Sequence, residues 1–409
     1  MNQESHSSIR GWTVTSAALG INLILGALYA WGVIAKALVV QWKWTKTDAA
    51  LPFTISTAAF ALTMIFAGRC QDKIGPRFVA MAGGIMFGLG LFTSSFSNTP
   101  LLMAITFGLL GGIGLGLCYS ATTPPAIKWF PPAKKGLITG IVVSGVGIAA
   151  VYVSPLTAYL LGITSIPQTF MILGGSATVL ICLFSLGLTN PPAGYVAAPG
   201  MSALKSAKPA AIVRPSLDWP EMLRSPQFFQ LWIMFVLSAS AGLMIIAHVA
   251  IIAREQAGVD KWGFLPIAML AVFNTLGRLT SGYVSDRIGR TQTMILAFVL
   301  QAINMFAFVH YTTPGMVVFG ASFTGLCYGA IFTLMPAASA EFYGVRNLGV
   351  NYGLLFTAFG VAGVTGPILA GVLREKFGSY SHSFTICAVM LVVAAVLAIT
   401  TKAPKTQHG

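Results

Sequence analysis

The chain has 409 residues, 56% of them hydrophobic and only 8% charged, with a mean hydropathy of +0.80. A soluble domain carries about 25% charged residues, so this composition excludes a soluble globular fold and points to a polytopic membrane protein. The 24 Lys and Arg against 10 acids give a net charge of +14. That balance first raises nucleic acid as a partner, but the basic residues cluster in short loops between apolar segments, as membrane topology predicts.

Twelve apolar segments follow one another, near 12–36, 48–68, 78–97, 101–122, 137–162, 167–188, 227–250, 263–285, 292–311, 315–339, 350–372 and 382–401. Most have the ~20 residues that a spanning helix needs. The first run is too long for the apolar core of a cleavable signal peptide, so none is expected. Gly84 and Gly88, and Gly108, Gly112 and Gly116, recur every four residues, a spacing that lets neighbouring helices approach closely. Four of the cysteines, among Cys70, Cys118, Cys182, Cys327 and Cys387, fall within apolar spans, and none has metal-ligand spacing. No metal site and no cofactor is expected.

Loop charge predicts the orientation. Arg10, Arg69, Lys73, Arg77, Lys128, Lys134, Lys135, Lys205, Lys208, Arg214, Arg224, Arg287, Arg290, Arg346, Lys402 and Lys405 fall on one side, 16 in all. Lys36, Lys43, Lys46, Arg254, Lys261, Arg374 and Lys376, which are 7, fall on the other. Both termini are therefore predicted to be cytoplasmic. Residues 189–226 form the one long polar connection, rich in Pro, Ala, Ser and Lys like a linker. Within it, Asp218 to Arg224 is predicted to form a short helix along the membrane surface.

The two sides of that linker repeat each other. Gly68-Arg-Cys-Gln-Asp72-Lys73-Ile74-Gly75 recurs as Gly282-Tyr-Val-Ser-Asp286-Arg287-Ile288-Gly289, at an offset of 214. Gly116-Leu-Cys-Tyr119 recurs as Gly325-Leu-Cys-Tyr328 at 209, and Pro155 as Pro367 at 212. The reading is an all-α integral membrane protein with twelve transmembrane helices in two pseudo-symmetric six-helix bundles. Residues 1–188 form the N-terminal bundle, 189–226 a cytoplasmic linker and 227–409 the C-terminal bundle. Halves of this kind are expected to hold their site at mid-membrane between them and to rock about it. Each Asp loop is followed by an arginine, Arg77 after Pro76 and Arg290 directly. Asp72, Arg77, Asp286 and Arg290 are read as gating residues that pair in one state and part in the other.

The remaining basic residue is Arg278, inside the eighth segment. Asp286, in the polar tail, lies eight residues on, which places Arg278 roughly 12 Å inside the membrane edge. A cation there costs about 2.5–3.5 kcal/mol even on the lenient insertion scale. The acids Glu4, Asp48, Asp72, Asp218, Glu221, Glu255, Asp260, Asp286, Glu341 and Glu375 all lie near segment ends or in loops. A guanidinium offers a planar fork that matches a carboxylate through two hydrogen bonds. Arg278 is therefore read as the substrate anion's partner, with Asn274 one turn before it on the same face. Tyr119 and Tyr328, at equivalent places, and Phe332, one turn after Tyr328, are read as pocket residues. Either Leu28 or Tyr29 in the first segment is expected to face the substrate. Ser144, Tyr152 and Phe359 are weaker candidates, and Asn22 is read as either a helix–helix link or a ligand contact. His248, followed by Arg254 and Glu255, is either a titrating group or an interfacial residue in contact with water.

The Asp loops, the six-plus-six plan and the central linker resemble the major facilitator superfamily over essentially the whole chain. Glu221-Met-Leu-Arg-Ser-Pro-Gln-Phe228, Lys128-Trp-Phe-Pro131, Tyr29-Ala-Trp31 and Asn274-x-x-x-Arg278 resemble its oxalate/formate-antiporter and monocarboxylate-transporter branch. The resemblance implies the major facilitator fold in a monomeric, multi-pass protein of a bacterial inner membrane. Its partners are then the lipid bilayer, a small carboxylate anion and a proton. It implies secondary active transport of lactate- or pyruvate-like monocarboxylates by alternating access, as proton symport or, alternatively, as oxalate/formate-type exchange without protons. No enzymatic activity is expected. Oxalate exchangers imply a lysine six residues after Asn351-Tyr-Gly353, where this chain has Phe359. One buried cation in place of two favours a single carboxylate. Animal monocarboxylate transporters imply an Asp where this chain has Asn274, and a late Lys in the first span where it has Val33, with Lys36 further out. The proton carrier therefore stays open.

Overall fold

Lipid leaves every backbone amide to be satisfied within its own segment, so the apolar runs fold as helices. A computed structural model describes residues 2–192, 194–195, 216–258 and 264–402, and its regular elements are all helical. The spans are α1 (Ile9–Gln41), α2 (Lys46–Ile74), α3 (Pro76–Ser94), α4 (Pro100–Lys128), α5 (Pro132–Ile163), α6 (Ile166–Ser185), α7 (Pro226–Ala257), α8 (Phe264–Ile288), α9 (Arg290–Phe308), α10 (Pro314–Tyr343), α11 (Leu348–Phe377) and α12 (Ser381–Thr400). Among the described residues, every span but α8 is long and apolar enough to cross a membrane by length and hydropathy. The α8 helix carries the polar Asn274 and Arg278. The basic residues Lys205, Lys208, Arg214, Lys261 and Lys405, with Asp260, lie outside the described residues. So do 193 and 196–215 of the predicted linker. The predicted short helix is present as Trp219–Arg224, and the Glu221 carboxylate accepts from the Asp218 amide at its start.

Helix starts follow local chemistry. Thr45 and Asp48 close a capping box at α2, and Ser165 and Gln168 close another at α6. Pro76, Pro100, Pro226 and Pro314 sit in first turns, where the missing amide hydrogen has no helical partner to lose. Gly75 and Gly289 make the sharp turns α2–α3 and α8–α9 at φ of 95° and 101°. A side chain there would be strained.

Contacts divide the described residues into two units. One takes those of Met1–Pro132, Ile141–Ile212 and Val345–Leu354. The other takes those of Ala133–Gly140, Val213–Gly344 and Leu355–Gly409. Each unit thus includes the opening turns of one helix, α11 in the first and α5 in the second, whose remainder is assigned elsewhere.

The first unit contains two interruptions. The α1 helix tightens to a 3₁₀ turn over Gly26–Ala30, and α4 widens to a π-helix over Ala104–Gly111. Carbonyls near the α1 interruption are met by side chains of α5: the Tyr152 hydroxyl donates to Leu23 O at 2.9 Å and Ser154 Oγ to Tyr29 O at 3.3 Å. Asn22 is fully buried and donates to Val142 O at 2.9 Å and Thr122 Oγ1 at 3.3 Å, a link from α1 to α5 and α4. In the second unit, Gln301 and Asn304 on α9 meet Thr324 on α10 at 3.1 Å each. Tyr311 donates to Asn304 Oδ1 at 3.2 Å. These buried polar bonds hold helices together where the hydrophobic effect does not act.

Candidate functional site

The α8–α10 seam positions Arg278. A Cβ placed on Gly277 would come within 2.0 Å of Leu326 O, one on Gly325 within 2.2 Å of Leu270 O, and one on Gly329 within 2.0 Å of Asn274 O. Only backbones without side chains at these points can approach so closely. Thr333 completes the seam by donating its hydroxyl to Arg278 O at 2.9 Å. With the two helices in backbone contact, Asn274 and Arg278 project beside Tyr328 and Phe332, one turn apart on α10.

Arg278 is 1% exposed and is the largest fully buried side chain among the described residues. Its Nε donates to Asn274 Oδ1 at 3.1 Å, and its Cζ lies 4.9 Å from the centre of the Phe332 ring. An amide thus holds one edge of the guanidinium and an aromatic ring lies against its face, a cation–π arrangement. Phe332 is held in turn by edge-on rings, Tyr328 at 5.0 Å, Phe359 at 5.4 Å and Phe235 at 5.9 Å. Tyr328 lies over Gly242 of α7, where an added Cβ would come within 2.3 Å of its ring. The second unit therefore brings together Arg278, Asn274, Tyr328, Phe332 and Phe359. The sequence reading missed Phe235 and Thr333, which have no motif and meet the site only through packing.

The first unit holds the other expected residues. Tyr119 is buried on α4, edge-on to Phe60 at 5.5 Å. Leu28 is half-buried and Tyr29 is exposed on the 3₁₀ turn of α1. Ser144 returns its hydroxyl to Ile141 O of its own helix at 2.7 Å. Tyr152 bonds Leu23 O, as described, so these two of the three weaker candidates bond the backbone.

The two Asp loops differ in detail. Asp286 accepts from Gly136 N at 2.9 Å and Leu137 N at 2.8 Å, capping the opening turns of α5. Arg290 reaches Asp286 Oδ1 at 2.5 Å and Ser285 Oγ at 2.5 Å, with Glu341 at 3.6 Å. Asp72 accepts from Val350 N at 3.1 Å, at the opening of α11, and pairs with Lys128 at 3.4 Å. Helix starts carry unpaired amides and positive dipole ends, so both carboxylates suit their places. Arg77 is exposed, and Lys128 stands beside Asp72. The offset of 214 matches Arg290 to Pro76 and leaves Arg77 one residue late. One residue rotates a helical side chain by about 100°, which turns Arg77 away.

A family model for the Major Facilitator Superfamily matches residues 11–303 and 265–409. The chain is 28% identical over 395 residues to the oxalate:formate antiporter of Oxalobacter formigenes, covering 95% of this chain and 90% of that protein. It is 25% identical over 399 residues to monocarboxylate transporter 13 of Rattus norvegicus, covering 95% and 88%. Its fold matches that of an E. coli fucose:proton symporter with a TM-score of 0.71 at 12% identity, over 94% of this chain and 97% of that one.

Proposed function

The chain belongs to the Major Facilitator Superfamily and is a multi-pass membrane transporter, not an enzyme, and from its similarity to these relatives we infer that it is of the oxalate/formate-antiporter and monocarboxylate-transporter branch. From that premise we propose that it carries small monocarboxylates of the lactate and pyruvate class by proton symport and alternating access. The membrane is a bacterial inner membrane, with both termini cytoplasmic, as the loop charges favour.

The observation that carries this reading is the Arg278 clamp. A guanidinium fully buried in a span, oriented by Asn274 on its edge and Phe332 on its face, is pre-organised for a planar anion. Carboxylate binding through two parallel N–H donors uses that geometry, and a lysine's point charge would not. Tyr328 supplies a hydroxyl for the substrate's oxygen atoms, and the rings of Phe332 and Phe359 supply an apolar wall for a short alkyl group. Phe359 packs against Phe332 where a second cation would suit a dicarboxylate, which favours one carboxylate per substrate. Asp72 and Asp286 act as latches, their bonds to helix-opening amides breaking and re-forming in the cycle, with Arg290 and Arg77 as their expected gating companions.

Exchange of one carboxylate for another is the second reading. It is favoured by Asn274, an amide with no proton to carry, beside the buried cation.

Proteoliposomes test both. With no internal substrate and an imposed pH gradient, labelled lactate should accumulate. Uptake only against internal carboxylate would support exchange, and no uptake of lactate, pyruvate, acetate or formate would end the substrate claim.

A further inference from the structure

His248 lies on α7, less than two turns before Arg254 and Glu255. It is half-buried, whereas His310 and His382 are exposed. Its Nε2 stands 3.2 Å from the carbonyl oxygen of Pro367 on α11, and its Nδ1 stands 3.1 Å from the hydroxyl of Tyr380, at the turn into α12. Both ring nitrogens therefore meet protein groups.

Hydrogen-bond direction fixes the tautomer. A carbonyl only accepts, so Nε2 carries the hydrogen and Nδ1 of the neutral ring accepts from the Tyr380 O–H. A proton added at Nδ1 reverses that bond: Nδ1–H then donates to the phenol oxygen, whose own hydrogen swings away. Both charge states keep both partners. Imidazole is also the side chain that ordinarily exchanges a proton between about pH 5 and 8.

The surroundings suit a proton site. Tyr380 is 3% exposed, and burial raises its phenol above the ordinary range, with Arg374 opposing this less strongly. The phenol therefore stays protonated and serves as a donor. Arg374 on α11 lies 5.6 Å over the Tyr380 ring and pairs with Glu255 of α7, so these two charges offset each other. Among the described residues of α7, α11 and α12, Arg254, Glu375, Lys376 and His382, the last stacked on Phe377, are the other ionisable groups at this end.

We propose that His248 is the proton-binding residue of the transport cycle, with Tyr380 the hydroxyl through which the proton reaches Nδ1. This rests on the symport reading above and supplies the carrier that Asn274 lacks. An anion on Arg278 and a proton on His248 leave the protein with the charge of its empty form. The empty and fully loaded carriers then reorient against the same electrostatic cost, whereas a carrier holding only the proton has one charge more. The proton is taken from water on one face and released to water on the other, one per monocarboxylate.

The test uses the full chain in proteoliposomes containing a trapped pH dye, with L-lactate as the probe. Lactate–lactate exchange at equal pH is measured beside lactate-coupled proton entry and gradient-driven accumulation. His248→Gln and His248→Asn should keep exchange within about threefold, while proton entry and accumulation fall by about tenfold or more. Tyr380→Phe, which keeps the ring and loses the hydroxyl, should keep accumulation but shift its pH profile. Proton entry retained at the wild-type ratio in both His248 variants would overturn the assignment. So would equal loss of exchange and accumulation in variants that remain monodisperse. Wild-type protein that exchanges lactate without moving protons would instead overturn the symport reading itself.

Discussion

The two six-helix halves share a plan but divide its demands. In the N-terminal half the backbone is irregular and mid-membrane charge is absent from the sequence: α1 carries a 3₁₀ turn and α4 a π-helix. In the C-terminal half the corresponding helices α7 and α10 run unbroken, and the intramembrane cation is there. A buried cation must be held in place by neighbours that do not yield, because small displacements of a charge clamp are costly. The rigid seam of α8 on α10 provides this. Irregular turns, by contrast, are frequent at hinges and functional sites, and they occur where no charge has to be positioned.

The sharpest break of this contrast is Arg278→Lys. It keeps the charge but removes the planar fork and the Nε bond to Asn274, and labelled lactate uptake should fall by about a hundredfold. Thermal stability in detergent should stay near wild type. Near-normal affinity in this variant would remove the premise that the C-terminal half supplies the anion clamp.

The seam is tested next. Gly325 and Gly116 are equivalent in the repeat, but a Cβ on Gly325 meets the Leu270 carbonyl oxygen at 2.2 Å, whereas one on Gly116 first meets the Thr63 side chain at 2.7 Å. The approach at Gly325 is the tighter one, so Gly325→Ala should cost on the order of 1–3 kcal/mol and Gly116→Ala less. Thermal unfolding and lactate affinity measured on the pair would show it. Equal losses would mean that the two halves are equally rigid.

The Asp loops give a smaller effect. Asp286 and Asp72 each hold two helix-opening amides, but Asp286 also holds the Arg290 guanidinium at 2.5 Å, whereas Asp72 has the Lys128 ammonium only at 3.4 Å. Hydrogen bonds to charged groups contribute about 1.5–3 kcal/mol each, so Asp286→Asn should change the transport rate more than Asp72→Asn. The smallest effect is expected at Arg77. It is exposed, and surface charges contribute about 0–1 kcal/mol, so Arg77→Ala should transport within about threefold of wild type. Arg290→Ala should match Asp286→Asn. An Arg77→Ala variant as impaired as Arg290→Ala would restore the symmetric latch read from the repeat.

Much of the site was legible because lipid is an unforgiving solvent. A single arginine in an apolar run stands out against its cost, and Asn274 follows from helical spacing alone. Tyr328, Phe332 and Phe359 were reached through the repeat and the resemblance, and the structure gathers them around Arg278. Other partners were out of reach. Lys128 is 56 residues from Asp72, and Pro367 and Tyr380 are 119 and 132 residues from His248. No local pattern encodes those distances.

The sequence by itself determined that the chain crosses a membrane repeatedly, that its two halves repeat, and that one arginine lies deep within an apolar span. These follow from transfer energies and helical period, which act residue by residue. Tertiary structure decided which Asp partner forms, that α8 and α10 touch backbone to backbone, and that His248 sits between a phenol and a carbonyl. Each of those depends on close contact between segments far apart in the chain, where one residue of rotation or one missing Cβ changes the outcome.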